Sequence, residues 1–509
     1  MINFYKALLL ATIFIIVNGC SSSRSASYFS SNKKIEHGIL DFHNSLKIDE
    51  YINAFKQENI IVPKSEDVVF SSDFFQKSIS SIHNKSLLQI AIKTRKENDK
   101  EKEELLGISL VLDISGSMFT DNKNEDSIES IKNAILEFRE GTEFSLVLFN
   151  SSSELYIPPI VISNKNRKDI IEKVKNIEFG GGTNIEDGLV LGYKAMSEFK
   201  NENSRLILIT DGISNVGITN PEEIAKKAKV EFIKGGRIST IGLGYDVDEN
   251  LLRKIAKKGN GFYYFSDNAK TLTKYLREDL TSFIKPCLYD VVLNIEENKG
   301  YKVLDVYGYT EYKNKDNQYN IDIGELNVDD WRIFIVEIEK IKKITTEKEI
   351  PVVAKLTYKL KPKDKLNELV VKSSVNWNSK SKNNINNINE KVARNAVIFS
   401  NAIALQEISK LYNEGKYSEA KGISETQRKN IEIYTSISND NELIPEITKF
   451  NSIENILNKD TKNPEKPNSE RPVEKKNLNK FIKDAMVSYS LIQPGPWSII
   501  LILFAENIM

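Results

Sequence analysis

The fold of this chain is decided by the stretch Ile108-Ser109-Leu110-Val111-Leu112-Asp113-Ile114-Ser115-Gly116-Ser117. Its first five residues form a short, mostly apolar run, which is typical of a β-strand covered by helices on both faces. The turn that follows carries the carboxylate of Asp113 and the hydroxyls of Ser115 and Ser117. Because ligands of an open α/β sheet bind outside the carboxyl ends of its strands, we expect these three oxygen donors to converge at that edge of the sheet.

Aliphatic strands and helical periods alternate on both sides of this stretch, from about residue 105 to residue 285. This alternation indicates a mostly parallel sheet with helices on both faces, so we predict a doubly wound, Rossmann-like α/β domain. We interpret the apolar stripes of its helices as core. The predicted strands are 108–112, 144–149, 155–157, 206–210, 238–243 and 262–265.

Two further loops can reach the same edge of the sheet. One is Gly180-Gly181-Gly182-Thr183-Asn184, whose glycines permit close backbone approach, and the other is Thr210-Asp211-Gly212 at the end of its strand. With the first turn they supply two carboxylates and three hydroxyls. An all-oxygen set suits Mg²⁺, Mn²⁺ or Ca²⁺ and suits zinc poorly, because zinc is usually held by His and Cys. All histidines of the chain lie upstream of these loops, at His37, His43 and His83.

These positions resemble the metal-ion-dependent adhesion site (MIDAS) of von Willebrand factor type A (vWA) domains, in which three loops hold one cation. The matching residues, in chain order, are Asp113, Ser115, Ser117, Thr183 and Asp211. The resemblance implies that Ser115, Ser117 and Thr183 bind the cation directly, while the two aspartates act partly through water. It also implies one divalent cation, Mg²⁺ in the first place, with Mn²⁺ and Ca²⁺ as alternatives.

The donor set also indicates the kind of ligand. Two ionised carboxylates balance a divalent charge, but the hydroxyls are neutral, so the cation should accept one more anionic oxygen. We therefore expect a protein ligand that supplies a Glu or Asp side chain, and we expect no enzymatic activity.

Two other functions stay open. In one, the chain is a scaffold that binds partners through its other domains, and the metal is only structural. In the other, ranked last, it is a metal-dependent hydrolase, although none of the three loops carries a His or Cys that could serve as a general base. The glycine loop lacks the Gly-Lys-Ser/Thr of a phosphate-binding loop, and Lys plus Arg equals Asp plus Glu at 71 each, so neither nucleotide nor nucleic acid is expected as a ligand.

The N-terminus has the order of an export signal, with Lys6, an apolar run over residues 7–17, and small or polar residues up to Cys20. The run is too short to span a bilayer comfortably. Val17-Asn18-Gly19-Cys20 resembles a lipobox, which is cleaved before a lipid-modified cysteine. We predict a cell-envelope lipoprotein anchored through Cys20, in the outer membrane if the cell has two membranes, because Ser21 is similar to the residue found there in outer-membrane lipoproteins. A simple secretory signal and an uncleaved anchor are the alternatives.

Periodicity and composition divide the rest of the chain. Strand-like segments with turn residues predict a small β-sandwich-like domain, and helical periods around Gly415 predict a helical hairpin. The order of segments up to about residue 458 resembles a family of exported bacterial vWA proteins. The predicted boundaries are 1–19 for a lipoprotein signal peptide, 20–34 for a lipid-anchored tether, 35–104 for an N-terminal flanking region, 105–285 for the vWA domain, 286–380 for the β-sandwich-like domain, 381–458 for the hairpin, and 459–509 for a low-complexity linker and tail.

Overall fold

The structure is a computed structural model. It describes residues 26–42, 45–76, 78–80, 85–96, 105–201, 204–233, 237–259, 261–282, 286–297, 300–309, 319–341, 352–378 and 389–462. The helices are α1 (Ala26–Glu36), α2 (Ile48–Asn53), α3 (Lys123–Glu137), α4 (Arg167–Lys175), α5 (Ile185–Met196), α6 (Pro221–Ile233), α7 (Glu249–Lys258), α8 (Ala269–Ser282), α9 (Ala393–Asn413), α10 (Tyr417–Ser438) and α11 (Ile444–Lys462), with short 3₁₀ segments at Gly116–Asn122 and Asn441–Leu443. The strands are β1 (Val68–Phe74), β2 (Ser78–Ser80), β3 (Lys85–Thr94), β4 (Gly107–Asp113), β5 (Glu143–Phe149), β6 (Ser153–Val161), β7 (Ser204–Thr210), β8 (Arg237–Leu243), β9 (Tyr263–Ser266), β10 (Pro286–Glu296), β11 (Tyr301–Val306), β12 (Tyr319–Asn327), β13 (Trp331–Lys340), β14 (Val352–Lys359), β15 (Asn367–Ser373) and β16 (Asn376–Asn378).

A six-stranded sheet forms the α/β domain, in the order β6-β5-β4-β7-β8-β9. Its neighbouring strands run parallel, except that β6 is antiparallel to β5 at the edge. Residues of β4 alternate between two apolar cores, with Leu110 and Leu112 in one and Val111 in the other. Helices α3, α4 and α8 contribute to the first core and α5, α6 and α7 to the second. The predicted doubly wound, mostly parallel fold is therefore confirmed.

Two four-stranded antiparallel sheets, β1-β3-β13-β11 and β12-β10-β14-β15, enclose one further apolar core. Strand β3 precedes the α/β domain and β13 follows it, yet Leu88 pairs with Val336 and Ile90 with Phe334. The α/β domain is therefore an insertion between two strands of a sandwich. The predicted boundaries separate the N-terminal flanking region from the sandwich, because strand pairing between segments so far apart leaves no local pattern.

Helices cover the outer face of the sheet β1-β3-β13-β11. On β3, Leu88 and Ile90 face the sandwich core, while Leu87 and Ala91 join a second core with residues of α2, α9, α10 and α11. The hairpin around Gly415 corresponds to α9 and α10, and α11 adds a third helix that runs past the predicted boundary at residue 458. The remainder of the predicted tail, from residue 463, lies outside the described residues.

The prediction of a tether over residues 20–34 is wrong from residue 26 onward, because α1 begins at Ala26. Ser27 and Ser30 of this helix are buried, and their hydroxyls donate to the carboxylates of Glu50 at 2.9 Å and Glu249 at 2.8 Å. Serine-rich composition usually indicates a linker. Here the hydroxyls instead serve as hydrogen-bond donors to carboxylates of neighbouring helices, and composition alone does not reveal such partners.

The sandwich meets the α/β domain at the amino ends of the strands. Arg237, the first residue of β8, donates to the carboxylate of Glu325 on β12 at 2.7 Å. Two of the three loops that carry predicted metal ligands follow the carboxyl ends of β4 and β7, and the third, the glycine loop, contacts the first of them. They therefore lie at the opposite edge of the sheet from this contact.

The histidines and cysteines were also singled out in the sequence, and the structure describes two of them, His37 and Cys287. His37 is exposed, and its ring lies 4.9 Å from that of Tyr245. Cys287 is buried, and burial raises the pKa of its thiol to about 11, as suits a packing residue. Cys20, His43 and His83 lie outside the described residues. Of the helices within the described ranges, none combines the length and the apolar character needed to cross a bilayer.

Candidate metal centre

Asp113 is the last residue of β4, between β5 and β7, and it is fully buried. Its Oδ1 accepts a hydrogen bond from the amide of Ser115 at 2.8 Å, and its Oδ2 accepts one from the hydroxyl of Thr210 at 2.5 Å. Burial raises the pKa of Asp113 to about 6, while the hydrogen bonds from Ser115 and Thr210 oppose that shift. The carboxylate is therefore held in one orientation at the carboxyl edge of the sheet.

Ser115, Ser117 and Asp211 continue the same cluster. The hydroxyl oxygens of Ser115 and Ser117 lie 3.1 Å apart, and the Ser117 hydroxyl donates to Oδ1 of Asp211 at 2.8 Å. Oxygens about 2.1 Å from Mg²⁺ stand about 3 Å apart when they are adjacent in an octahedron. The two serine oxygens therefore have the spacing of adjacent ligands. Ser117 is exposed whereas Asp113, Ser115 and Asp211 are buried, so solvent reaches the cluster on the Ser117 side.

The glycine loop lies directly against the Asp-x-Ser-x-Ser turn. The amide of Gly180 donates to the carbonyl of Ile114 at 2.6 Å, and the amide of Gly116 donates to the carbonyl of Gly181 at 3.0 Å. Gly181 has a φ of +94°, a conformation that L side chains rarely adopt. The glycines thus allow the two backbones to approach closely, as the sequence predicted.

Thr183 is buried and is positioned through its backbone. Its amide donates to the side-chain oxygen of Asn215 at 2.8 Å, and its carbonyl accepts from the amides of Asn215 at 3.0 Å and Val216 at 3.1 Å. The loop that holds Thr183 therefore also contacts the loop that follows Asp211. The structure joins the other four predicted ligands directly by hydrogen bonds and places Thr183 on the adjacent loop.

Lys123 is a member of this cluster that the sequence analysis missed. Its Nζ lies 2.9 Å from Oδ2 of Asp211, and the two side chains are only 7% and 6% exposed. A Cβ on Gly244 would lie 2.7 Å from Cε of Lys123, so a glycine there leaves room for the lysine stem. A lysine in the first turn of a helix opposes the helix dipole. That mismatch at the start of α3 is the sequence signal that could have revealed it.

The donor set fits a hard divalent cation. It has two carboxylates and three hydroxyls, it has no nitrogen or sulfur ligand, and the serine oxygens are spaced as adjacent octahedral ligands. Asp113, Ser115, Ser117, Thr183 and Asp211 are the residues that would hold the ion. Such an ion would supply an electrophilic centre for an anionic oxygen, and the chain would orient that centre.

The family model of the von Willebrand factor type A domain matches residues 108–278. Among curated proteins, the chain is 26% identical over 318 residues to the uncharacterized protein YfbK of Escherichia coli (strain K12), covering 59% of this chain and 54% of YfbK. It is 27% identical over 190 residues to inter-alpha-trypsin inhibitor heavy chain H2 of Sus scrofa, covering 35% of this chain and 20% of the heavy chain. The match thus spans about half of YfbK and about a fifth of the heavy chain.

Among solved structures, a von Willebrand factor type A protein from Catenulispora acidiphila superposes with a TM-score of 0.52 at 18% identity, covering 72% of this chain and 88% of that one. This likeness concerns the fold. Together with the family match and the order of the six strands, it shows that this chain is a vWA-domain protein, with the vWA domain over residues 108–278.

Proposed function

We propose that the vWA domain binds a protein partner through one divalent cation, Mg²⁺ in the first place. A vWA domain supports a role in protein interaction or adhesion in general. Ser115, Ser117 and Thr183 would bind the cation directly, and Asp113 and Asp211 would act partly through water. A Glu or Asp side chain of the partner would complete the coordination, and no enzymatic step is involved.

The buried ion pair between Lys123 and Asp211 carries this proposal. Two carboxylates and one ammonium leave one net negative charge, so a divalent cation gives the site one net positive charge. This charge is poorly screened because most of the cluster is buried. An anionic oxygen is therefore favoured over a neutral one as the last ligand, and exposed Ser117 marks the side from which it approaches.

We further propose that the chain is a cell-envelope lipoprotein anchored by lipid on Cys20, in the outer membrane if the cell has two membranes. Residues 21–25 separate Cys20 from α1, and α1 packs on the vWA domain through Ala26. Six residue steps span at most about 22 Å. The anchored domain would therefore stay close to the membrane. Metabolic labelling with an alkyne fatty acid should mark the wild-type chain and not Cys20→Ala.

Calorimetric titration of Mg²⁺ and Mn²⁺ into the chain from Ser21 onward tests the metal site. We expect one saturable site in the wild type and its loss in Asp113→Ala and Asp211→Asn variants that are folded by circular dichroism. Asp121→Ala is the matched control, because Asp121 is an exposed carboxylate near the same turn and is not a predicted ligand. A wild-type chain that binds neither ion contradicts the proposal.

The open coordination position is tested with a carboxylate probe. Free glutamate added to the Mn²⁺-loaded chain should displace metal-bound water and lower the relaxation enhancement of water protons. If the metal binds with high affinity but carboxylates displace no water, the metal is structural. That outcome would favour a scaffold that binds partners through the sandwich and the helices.

A further inference from the structure

Two large apolar side chains are exposed to solvent beside the three loops that carry the predicted metal ligands, which we call the metal loops. Phe119 is 59% exposed and Ile213 is 62% exposed, values reached by few of the large apolar residues in the described part of the chain. Each is two residues beyond a predicted ligand, Phe119 after Ser117 and Ile213 after Asp211. Exposed apolar side chains beside a candidate site offer apolar contact area to a ligand that binds there.

Phe119 and Ile213 both stand close to the ligand cluster, and we call them, together with Phe179, the apolar rim. The Ser117 hydroxyl and the Asp211 carboxylate are 2.8 Å apart, and two residue steps span at most about 7 Å. Phe119 also contacts Phe179, with ring centroids 6.2 Å apart and the planes inclined by 62°. Phe179 is half-buried and directly precedes the glycine loop. All three metal loops therefore have an apolar side chain beside them.

The exposed charged residues nearest to Phe119 and Phe179 along the chain are acidic. Asp121 follows Phe119 by two residues and Glu178 precedes Phe179, and both are exposed. The basic residue of the cluster, Lys123, is buried and already paired with Asp211. A ligand with several acidic groups would therefore meet attraction only at the cation and repulsion at the rim.

We propose that this face recognises a protein segment in which a single Asp or Glu stands between large apolar residues. The acidic side chain would coordinate the cation, and its apolar neighbours would cover Phe119 and Ile213. This inference rests on the proposed metal-dependent function and makes the partner's chemistry more specific. It excludes acidic clusters as ligands, because Asp121 and Glu178 flank the rim.

Blocked pentapeptides test the proposal in the water-relaxation assay with the Mn²⁺-loaded chain. Gly-Leu-Glu-Leu-Gly should bind at least about tenfold more tightly than Gly-Ser-Glu-Ser-Gly, since burying one leucine side chain supplies that factor. Gly-Glu-Glu-Glu-Gly should bind no better than the serine peptide. Phe119→Ser and Ile213→Ser should each reduce the preference for leucine several-fold and leave Mn²⁺ affinity unchanged.

Leu136→Ser and Ile437→Ser are matched controls, because these side chains are 59% and 64% exposed and lie at the C-terminal ends of α3 and α10, distant along the chain from the predicted ligands. Neither should alter peptide binding. Equal affinity for the leucine and serine peptides, with metal and glutamate binding intact, would overturn this inference alone. Absence of metal binding in the wild type would overturn the proposed function as well. Self-association that Phe119→Ser abolishes would show that a second copy of the chain covers the rim, and it would also overturn the inference.

Discussion

Nζ of Lys123 lies 2.9 Å from Oδ2 of Asp211, and the Ser117 hydroxyl donates to the other carboxylate oxygen at 2.8 Å. Both oxygens of Asp211 thus have partners within the chain. A carboxylate held in this way is suited to act on a cation through water or through the serine hydroxyl. The lysine also sets the charge of the site, because it neutralises one of the two aspartates.

Replacing Lys123 with Met tests this role, since the variant keeps the stem and removes the charge. Without metal, Asp211 would be buried and unpaired, which destabilises the domain by about 3–5 kcal/mol. Mg²⁺ should therefore raise the melting temperature more in the variant than in the wild type. Glutamate should bind the loaded variant more weakly, because the site has lost its net positive charge.

The control for this variant is Lys132→Met, which removes a more exposed lysine of the same helix. It should leave both the melting temperature with Mg²⁺ and the glutamate affinity unchanged. A Lys123→Met protein with wild-type glutamate affinity would show that the lysine does not set the charge of the site.

Thr210→Val removes a hydroxyl without changing the shape of the side chain much. That hydroxyl donates to Asp113 at 2.5 Å and accepts from the amide of Gly212 at 2.9 Å, all at buried positions. Leaving these partners unsatisfied costs about 1–3 kcal/mol. We expect a lower melting temperature and weaker Mn²⁺ binding by calorimetry. Thr219→Val, at an exposed position of the following loop, should change neither quantity.

The free energy of unfolding should depend on pH through the carboxyl group of Asp49. Burial, and next the negative charge of Glu50, raises the pKa of Asp49 to about 7, while Lys257 and Arg253 oppose the shift. Because the pKa in the folded state exceeds the ordinary value near 3.8, the folded chain binds more protons between about pH 4 and pH 7. The free energy of unfolding therefore falls as the pH rises through this range.

Since Asp49 is only half-buried, we expect a total change of about 1–2 kcal/mol, less than the full pKa shift would imply. Melting temperatures at pH 5 and pH 8 measure it. The loss of stability from pH 5 to pH 8 should be smaller in Asp49→Asn than in the wild type. Asp364→Asn, at an exposed site, should behave as the wild type does. Identical pH slopes for the Asp49 variant and the wild type would refute the assignment.

Glu249 holds α1 on the vWA domain. It is 4% exposed and accepts from Nζ of Lys34 at 2.8 Å and from the guanidinium of Arg253 at 2.9 Å. Glu249→Gln would leave a buried lysine without a counter-charge, a loss of about 3 kcal/mol or more. Amide hydrogen exchange in α1 should therefore accelerate by about a hundredfold. Glu222→Gln, which breaks an exposed pair with Lys254, should leave exchange in α1 unchanged.

Local patterns predicted the vWA domain because its signals are short in range. The apolar run before Asp113, the Asp-x-Ser-x-Ser turn and the glycine loop each occupy a few consecutive residues. Parallel strands place their carboxyl ends at one edge, so the turns after β4 and β7 were expected to meet. The distances among Asp113, Ser115, Ser117 and Asp211 agree with that expectation.

The role of Lys123 illustrates what local patterns leave out. Its partner Asp211 is 88 residues away along the chain. The two residues meet only because β4 and β7 are neighbouring strands of the sheet. The helix dipole made a lysine at that position unfavourable, but this mismatch did not identify the partner. The buried serines of α1 are similar, since their acceptors Glu50 and Glu249 are distant in the chain.

Local sequence signals predicted the vWA domain and the residues of the candidate metal centre, because hydrophobic period and turn chemistry act over a few residues. Three further features appear only in the folded chain: β3 and β13 form one sheet around the inserted domain, Glu249 docks α1, and Lys123 neutralises Asp211. Pairing between distant strands and between buried charges depends on which surfaces come into contact when the chain folds, and no local sequence pattern encodes those contacts.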